Sequence, residues 1–218
     1  MNLNLFEDRR ELEKTNVKKC HSAMFRILKY LDYLCKKNNL RYWICGGTLI
    51  GAVIHKGWKP LGKDIDISVT KRDYQILLKI VKKNMLKDTD LEIINENFFR
   101  IMDRRGRYTK GFLKGKGLCV DVYCIDVRLR LFSVYYKSEM DEGIERKFRK
   151  NILLPLRKYR FENGVFYGPN KPISLLRQFE ITRRRIDDYL EKIDYHKLIR
   201  AKYDKDIEIK EVDFMVSD

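Results

Sequence analysis

Asp64 and Asp66 stand one residue apart in the alternating run DIDISV. In an extended strand successive side chains point to opposite faces, so Asp64, Asp66 and Ser68 share one face while Ile65, Ile67 and Val69 share the other. The isoleucines mark the side that is buried. Two like charges on the remaining side are tolerated most easily with a hard divalent cation, Mg2+ or Mn2+, between them, because such ions take oxygen ligands and share them with substrate phosphates. This is the chemistry of metal-assisted phosphoryl transfer. Upstream, Gly46 and Gly47 permit a backbone turn that a Cβ would resist, and the Thr48 hydroxyl is placed to cap the helix that follows. Free N–H groups at that turn would make an anion site. A lone D-x-D or a lone Gly-Gly-Thr is common. The order strand, Gly-Gly turn, helix, basic loop and acidic strand, all within Ile44–Thr70, is far more specific.

A third carboxylate comes from the run LCVDVYCID. Val120 and Val122 read as its buried face, which turns Asp121 toward the Asp64/Asp66 side, while Asp126 reads as the residue that caps or ends the strand. His55 and Lys56 fall at the end of the short helix LIGAVIH. There His55 either contacts a phosphate or satisfies a terminal carbonyl. Lys56, Lys59 and Lys63 are close enough in sequence to line an anionic pocket, although a solvated loop has the same composition. From Asp103 to Gly117 a basic, glycine-rich passage reads as an anion-facing loop or as a surface insertion.

These residues need a scaffold, and hydrophobic spacing supplies one. Met24, Ile27, Leu28, Leu31, Leu34 and Cys35 recur every three or four residues, predicting a helix from about 7 to 39 with Arg26, Lys29 and Asp32 on its polar face. Arg41–Cys45 reads as a strand entering the Gly-Gly turn. After the acidic strand a helix carries Ile76, Leu77, Ile80 and Val81 on its apolar face. Short strands follow around residues 91–94 and 98–102, and a β-prone stretch lies at 131–136. The charged segment 138–150 is compatible with helix. Residues 156–167 read as a hairpin, with Asn163-Gly164 supplying the positive φ angles of its turn. A C-terminal helical section is predicted over about 173–205, including Ile186, Tyr189, Leu190 and Ile193. The whole, 1–218, reads as one domain.

Composition sets outer bounds. A hydrophobic fraction of 44% supports a real core, and 47 Lys and Arg against 31 Asp and Glu give a net charge of +16. That excess suits a polyanion, a nucleotide or an anionic membrane surface, or simply a solvated basic exterior. Five cysteines, an odd count without close pairs, exclude a disulfide framework and the paired spacing of a zinc site. The N-terminus has no apolar leader, and no stretch reaches the length of a membrane span, so the expectation is a soluble, cytoplasmic protein.

The stretch from Leu31 to Tyr74, with its GGTLIGAVIHKG core, its DIDI strand and its Arg-x-Asp-Tyr helix start, resembles the signature of LicD-type phosphotransferases. VDVYCID is similar to a later element of that family, and FENGVFYGPNKPISLLRQFE to its closing section. The resemblance implies an α+β fold, a nucleotidyltransferase-like mixed sheet flanked by helices, with a divalent metal held by the acidic strand. It also implies transfer of a phospho-alcohol group, phosphocholine-like, from a CDP-activated donor to a glycan hydroxyl. On this view Asp64 and Asp66 are the metal-binding D-x-D, and Asp121 is the third acid, as metal ligand or as proton acceptor. Gly46, Gly47, Thr48, His55, Lys56 and Lys63 would contact nucleotide or phosphate. A choline group would call for an aromatic cage, for which Tyr42, Trp43, Trp58 and Tyr123 are candidates. This chain departs from the family where two further aspartates usually precede D-I-D: here stand Gly62 and Lys63. That departure keeps two alternatives in play, a nucleotidyltransferase acting on a small molecule or RNA, and a non-catalytic member binding a polyanion such as nucleic acid.

Overall fold

The computed structural model describes residues 6–59, 62–107, 117–138 and 142–179. Among the described residues, helices α1 (Asn16–Lys37), α2 (Gly46–Ile50), α3 (Lys71–Lys83), α4 (Lys150–Leu153) and α5 (Pro172–Leu176) accompany nine strands. The strands are β1 (Tyr42–Ile44), β2 (Ile65–Thr70), β3 (Thr89–Asn95), β4 (Phe98–Arg107), β5 (Gly117–Leu129), β6 (Ser133–Ser138), β7 (Glu145–Arg149), β8 (Arg157–Phe161) and β9 (Gly164–Gly168). The first seven form one sheet in the order β1-β2-β5-β4-β3, with β6 joined to β5 and β7 to β6, while β8 and β9 make a separate hairpin. Among the described residues only β2 and β5 run parallel; the other pairs are antiparallel. The fold is therefore α+β, a mixed sheet flanked by helices.

Sequence alternation decides which face meets which layer. Ile65, Ile67, Val69, Val120, Val122, Phe99 and Ile101 are fully buried in one cluster with Met24, Ile27, Leu28 and Leu31 of α1 and with Leu77 and Val81 of α3. Burying each such side chain is worth roughly 1.5–3 kcal/mol, so this face alone holds β2 and β5 against the helices. The opposite face is closed only at its far end. There Trp43, Cys45, Ile125, Val134, Tyr136, Phe148, Leu153 and Leu175 form a second cluster. The stretch of that face nearer the start of β2 carries the polar residues. All five cysteines are free.

Several elements differ from the spacing-based expectation. The first helix starts at Asn16, where the Thr15 hydroxyl accepts from the Lys18 N–H, and residues 10–12 form a separate 3-10 turn. Arg26 is buried rather than solvated because residues 6–12 fold back across α1; it donates to the backbone oxygens of Phe6 (2.6 Å) and Lys87 (2.9 Å). On α3 the buried positions are Tyr74, Leu77 and Val81, and Ile76 is exposed. Residues 103–107 extend β4 instead of opening a loop, and β5 continues past Asp126 to Leu129, so Asp126 ends nothing. The segment expected to be helical contains β7, whose alternation pairs it with β6. In the 157–168 hairpin the left-handed angle falls on Glu162 (φ 53°); Gly164 is needed because a Cβ there would lie 2.5 Å from the Phe166 ring. The C-terminal helix over Ile186, Tyr189, Leu190 and Ile193 lies outside the described residues.

The N-terminal segment is fastened by charge. Arg10 and Asp103 are both nearly inaccessible; Arg10 Nη1 donates to Asp103 Oδ1 at 2.8 Å, its Nη2 pairs with the other carboxylate oxygen, and Nη2 also meets Asp8 at 2.8 Å. Removing one partner of such a buried pair leaves the other charge desolvated and uncompensated. The expected outcome is that Asp103→Ala lowers unfolding stability by about 3–5 kcal/mol in chemical denaturation, whereas Asp90→Ala, which frees the exposed Arg104, changes it by at most ~1 kcal/mol.

Candidate active site

The site assembles where β1 ends and β2 begins. The chain leaves β1 through Cys45, turns at Gly46 (φ 51°) and enters α2, which runs on into a π-helical turn over Gly51–His55. A positive φ at Gly46 is the angle a residue with a Cβ adopts at a cost, so the first glycine has a conformational reason. Thr48 is not the cap expected of it. It lies inside α2, and its hydroxyl accepts the Asp66 N–H at 2.8 Å, while Cys45 N–H donates to the Asp66 carbonyl at 3.1 Å. The Gly47 N–H, expected to serve an external anion, bonds the Asp66 carboxylate. Thr48, Cys45 and Gly47 thus hold one aspartate at three points.

The two aspartates of the D-x-D differ in setting. Asp64 precedes β2 and is exposed, whereas Asp66 lies within the strand and is buried. Because β2 and β5 run parallel with Asp66 opposite Asp121, both carboxylates share the polar face on adjacent strands, which lie about 4.8 Å apart. Burial above all, then Asp64 and Asp121, pushes the Asp66 carboxyl well above the usual carboxylate range, against the opposing charge of Lys59. Asp121 is raised too, by burial, although Arg100 counteracts it. Arg100, opposite Asp121 on β4, grips it with two bonds, Nε to Oδ1 at 2.9 Å and Nη2 to Oδ2 at 3.2 Å. The Tyr123 hydroxyl donates to Oδ2 at 3.4 Å, and its ring stacks on Phe98 at 4.6 Å.

Among the basic candidates, Lys59 is the one whose charge opposes the rise of Asp66. Its side chain crosses Gly47 so tightly that a Cβ there would stand 2.7 Å from Cε and 2.9 Å from Nζ. The second glycine therefore exists to let this ammonium pass. Lys56 is instead exposed in the left-handed conformation (φ 58°), and its ammonium donates to the Val53 carbonyl at 3.0 Å, so the structure does not bring it to the carboxylates. His55 closes the π-helical turn and Lys63 directly precedes Asp64; both are half-buried. Lys59, Arg100 and Tyr123 are site residues that the spacing argument left out of its nucleotide- or phosphate-binding set. Arg100 had one signal, an arginine between Phe99 and Ile101, both fully buried.

Gly62, at one of the departures from the family pattern, has a packing reason. A Cβ there would meet Trp58 at 2.9 Å and the Lys59 carbonyl at 3.1 Å. Its own carbonyl bonds His21 Nε2 at 3.0 Å, and His21 stacks on Trp58 at 3.9 Å. The aromatic cage candidates are not gathered: Tyr42 and Trp43 alternate to opposite faces of β1 in different core clusters, and Trp58 is taken up by His21 and Phe161.

Among the described residues no group of three or more His, Cys, Asp or Glu side chains forms a ready-made metal cage. A magnesium-type ion does not require one, since it is commonly held by one or two carboxylates together with substrate phosphates and water. A buried Asp66 crowded by two like charges, with Asp121 already gripped by Arg100, fits that mode of binding.

A mixed sheet that sets paired carboxylates beside a lysine and an arginine defines a domain suited to phosphate-bearing substrates. The family model for the LicD/FKTN/FKRP nucleotidyltransferase domain matches residues 39–171, and the chain belongs to this family. Proteins of Rickettsia prowazekii and Rickettsia typhi, both uncharacterized, are 29% and 30% identical to it over 72% of this chain, covering 54% and 45% of their own lengths. The lipopolysaccharide cholinephosphotransferase LicD of Haemophilus influenzae is 25% identical over 53% of this chain and 46% of that protein. The chain thus spans about half the length of the curated relatives it matches. A crystal structure of the lincosamide antibiotic adenylyltransferase LnuA, lincomycin-bound, superposes with a TM-score of 0.44 and 15% identity, over 68% of this chain and 82% of that one.

The raised carboxyl of Asp66 has a consequence for stability. A folded state that holds a proton more tightly than the unfolded chain is favoured at low pH and loses that advantage as pH rises from about 4. In chelator-treated protein, Asp66→Asn removes this loss. Its melting temperature is expected to exceed that of the parent by a few degrees at neutral pH, with the gap closing toward pH 4; a scan of melting temperature against pH checks both.

Proposed function

We propose that the chain transfers a phospho-alcohol group from a CDP-activated donor to a glycan hydroxyl in a metal-dependent reaction. The observation that carries this reading is the Asp66–Asp121 pairing across parallel strands, flanked by Lys59 and Arg100. Asp64 and Asp66 would hold the Mg2+ or Mn2+, which when bound supplies charge neutralisation of the donor diphosphate. Lys59, lying across Gly47, adds a fixed positive charge at the same place. Arg100 orients Asp121, whose carboxylate takes the proton of the attacking hydroxyl. The new bond forms between that acceptor oxygen and the phosphorus carrying the alcohol; the bond from this phosphorus to the bridging oxygen breaks, and CMP leaves with the electron pair. Little covalent work falls to the protein in such a displacement, so positioning and charge supply the rate.

The departure at Gly62-Lys63 supports this reading less directly than the acids do, but it does not oppose it. Gly62 is demanded by the Trp58 and Lys59 contacts, and Lys63 brings a further cation to the end of the loop. A family relative that is a lipopolysaccharide cholinephosphotransferase supports the class of reaction.

Titration calorimetry with CDP-choline, CDP-ribitol and CDP-glycerol tests the proposal. One donor is expected to bind only with Mn2+ or Mg2+ present, and Asp66→Ala to abolish that binding. Lys59→Ala is expected to lower turnover by roughly 100-fold, the usual cost of losing one transition-state charge contact, and Arg100→Ala, which leaves the Asp121 base unoriented, by roughly 100-fold. Equal donor affinity with and without metal would sink the idea. So would RNA binding that is steeply salt-dependent yet indifferent to Asp66→Ala, which marks a polyanion-binding member instead.

A further inference from the structure

The far end of the sheet carries a surface that the transfer reaction leaves unused. Beyond Ile125, β5 pairs with β6 and reaches a turn over residues 130–133. Arg130 N–H donates to the Ser133 carbonyl and Lys150 N–H to the Phe132 carbonyl, each at 2.9 Å. On this pinned turn Leu131 and Phe132 are 78% and 79% exposed. A turn held by backbone bonds that still displays two large apolar side chains is a built feature, and neighbouring apolar exposure of this kind marks an interaction site. Two contiguous clefts run from it along the protein, sharing Arg41, Leu129, Leu154 and Leu156. Arg41, Arg149 and Lys150 line them, Arg130 sits in the turn itself, and none of the four makes an ion pair with a described acidic side chain.

We propose that this end of the molecule docks on an anionic lipid surface, with Leu131 and Phe132 entering the boundary between headgroups and acyl chains and the four cations resting on lipid phosphates. Stable attachment to a membrane surface usually needs two signals, an apolar insertion and a basic patch, and both are present within one turn and its neighbours. The occupant follows from charge complementarity: exposed apolar side chains ringed by four cations match a layer that is anionic at its surface and apolar beneath. Charge disfavours a second copy, because a two-fold contact would set the same four cations against themselves. Among the described residues no helix is long and apolar enough to cross a membrane. This inference does not rest on the transfer chemistry. If that reading also holds, Asp121 stands roughly 25 Å from Leu129 along the same strand, away from the docked tip.

Flotation of the full chain with phosphatidylcholine vesicles, with and without phosphatidylglycerol, tests the surface. Binding is expected on the anionic vesicles alone. Leu131→Ser with Phe132→Ser, and separately Arg130→Ala with Arg149→Ala and Lys150→Ala, should each weaken it roughly tenfold or more with the melting temperature unchanged. Tryptophan in Phe132→Trp should emit at shorter wavelength once anionic vesicles are added. The proposal falls if the chain does not float with anionic vesicles, if the serine pair floats as well as the parent, or if the Phe132→Trp emission does not move. A concentration-dependent dimer that the serine pair dissolves would equally overturn it, assigning the tip to a second copy.

Discussion

The parallel pairing of β2 with β5 is the constraint on which the site depends. Its register sets Asp66 opposite Asp121 and, one residue further, Ile67 opposite Val122. Side chains alternate with a period of two, so a slip of one residue would bury the aspartates among the helices and turn the isoleucines outward. The apolar face resists that slip. Ile65, Ile67, Val69, Val120 and Val122 are all fully buried, and each would have to surrender its contacts at once. The geometry of the candidate site is thus held from the back of the sheet, by side chains buried against the helices.

Holding acids together in this way works against stability, and the surroundings show how the cost is contained. Arg100 grips Asp121 from β4, Lys59 sets an opposing charge near Asp66 from across Gly47, and the Gly47 N–H bonds the Asp66 carboxylate. Even so, both carboxyls remain raised, because burial outweighs these partners. Perturbed acids of this kind cluster at functional sites. An incoming cation and phosphate would find a site already polarised toward them, with the donors in place and little left to reorganise.

The second structural investment lies far from the acids. Residues 6–12 cross α1 and are fastened to β4 through Arg10 and Asp103 and to α1 through Arg26. This holds β4, the strand that supplies Arg100. At the opposite end β6, β7, α4 and α5 close the other face over Trp43 and Tyr136 and leave the 130–133 turn projecting. Site and projecting turn share β5, which makes the longest of the described strands the axis of both.

Period-two alternation in DIDISV and LCVDVYC was enough to pick out Asp66 and Asp121, and the three-and-four spacing of Met24 to Cys35 was enough to place α1, because each is a local rule acting along one strand or helix. Those rules also kept Asp64 beside them, though only the fold distinguishes the exposed acid from the buried one. Thr48 and Gly47 carried the right residue types for the wrong task, since nothing local reveals that β2 returns to occupy their hydroxyl and N–H. Lys59 could be named for an anionic pocket from its basic loop, but its tie to the acids, and that of Arg100, could not be read for a similar reason: they lie on a loop and on β4, and only sheet closure sets them beside the acids. Arg26 and Asp103 looked solvated for want of knowing where the N-terminal segment folds. What spacing decides is which face a residue takes; which face it meets depends on contacts between residues far apart in the chain, and those exist only once the sheet has closed.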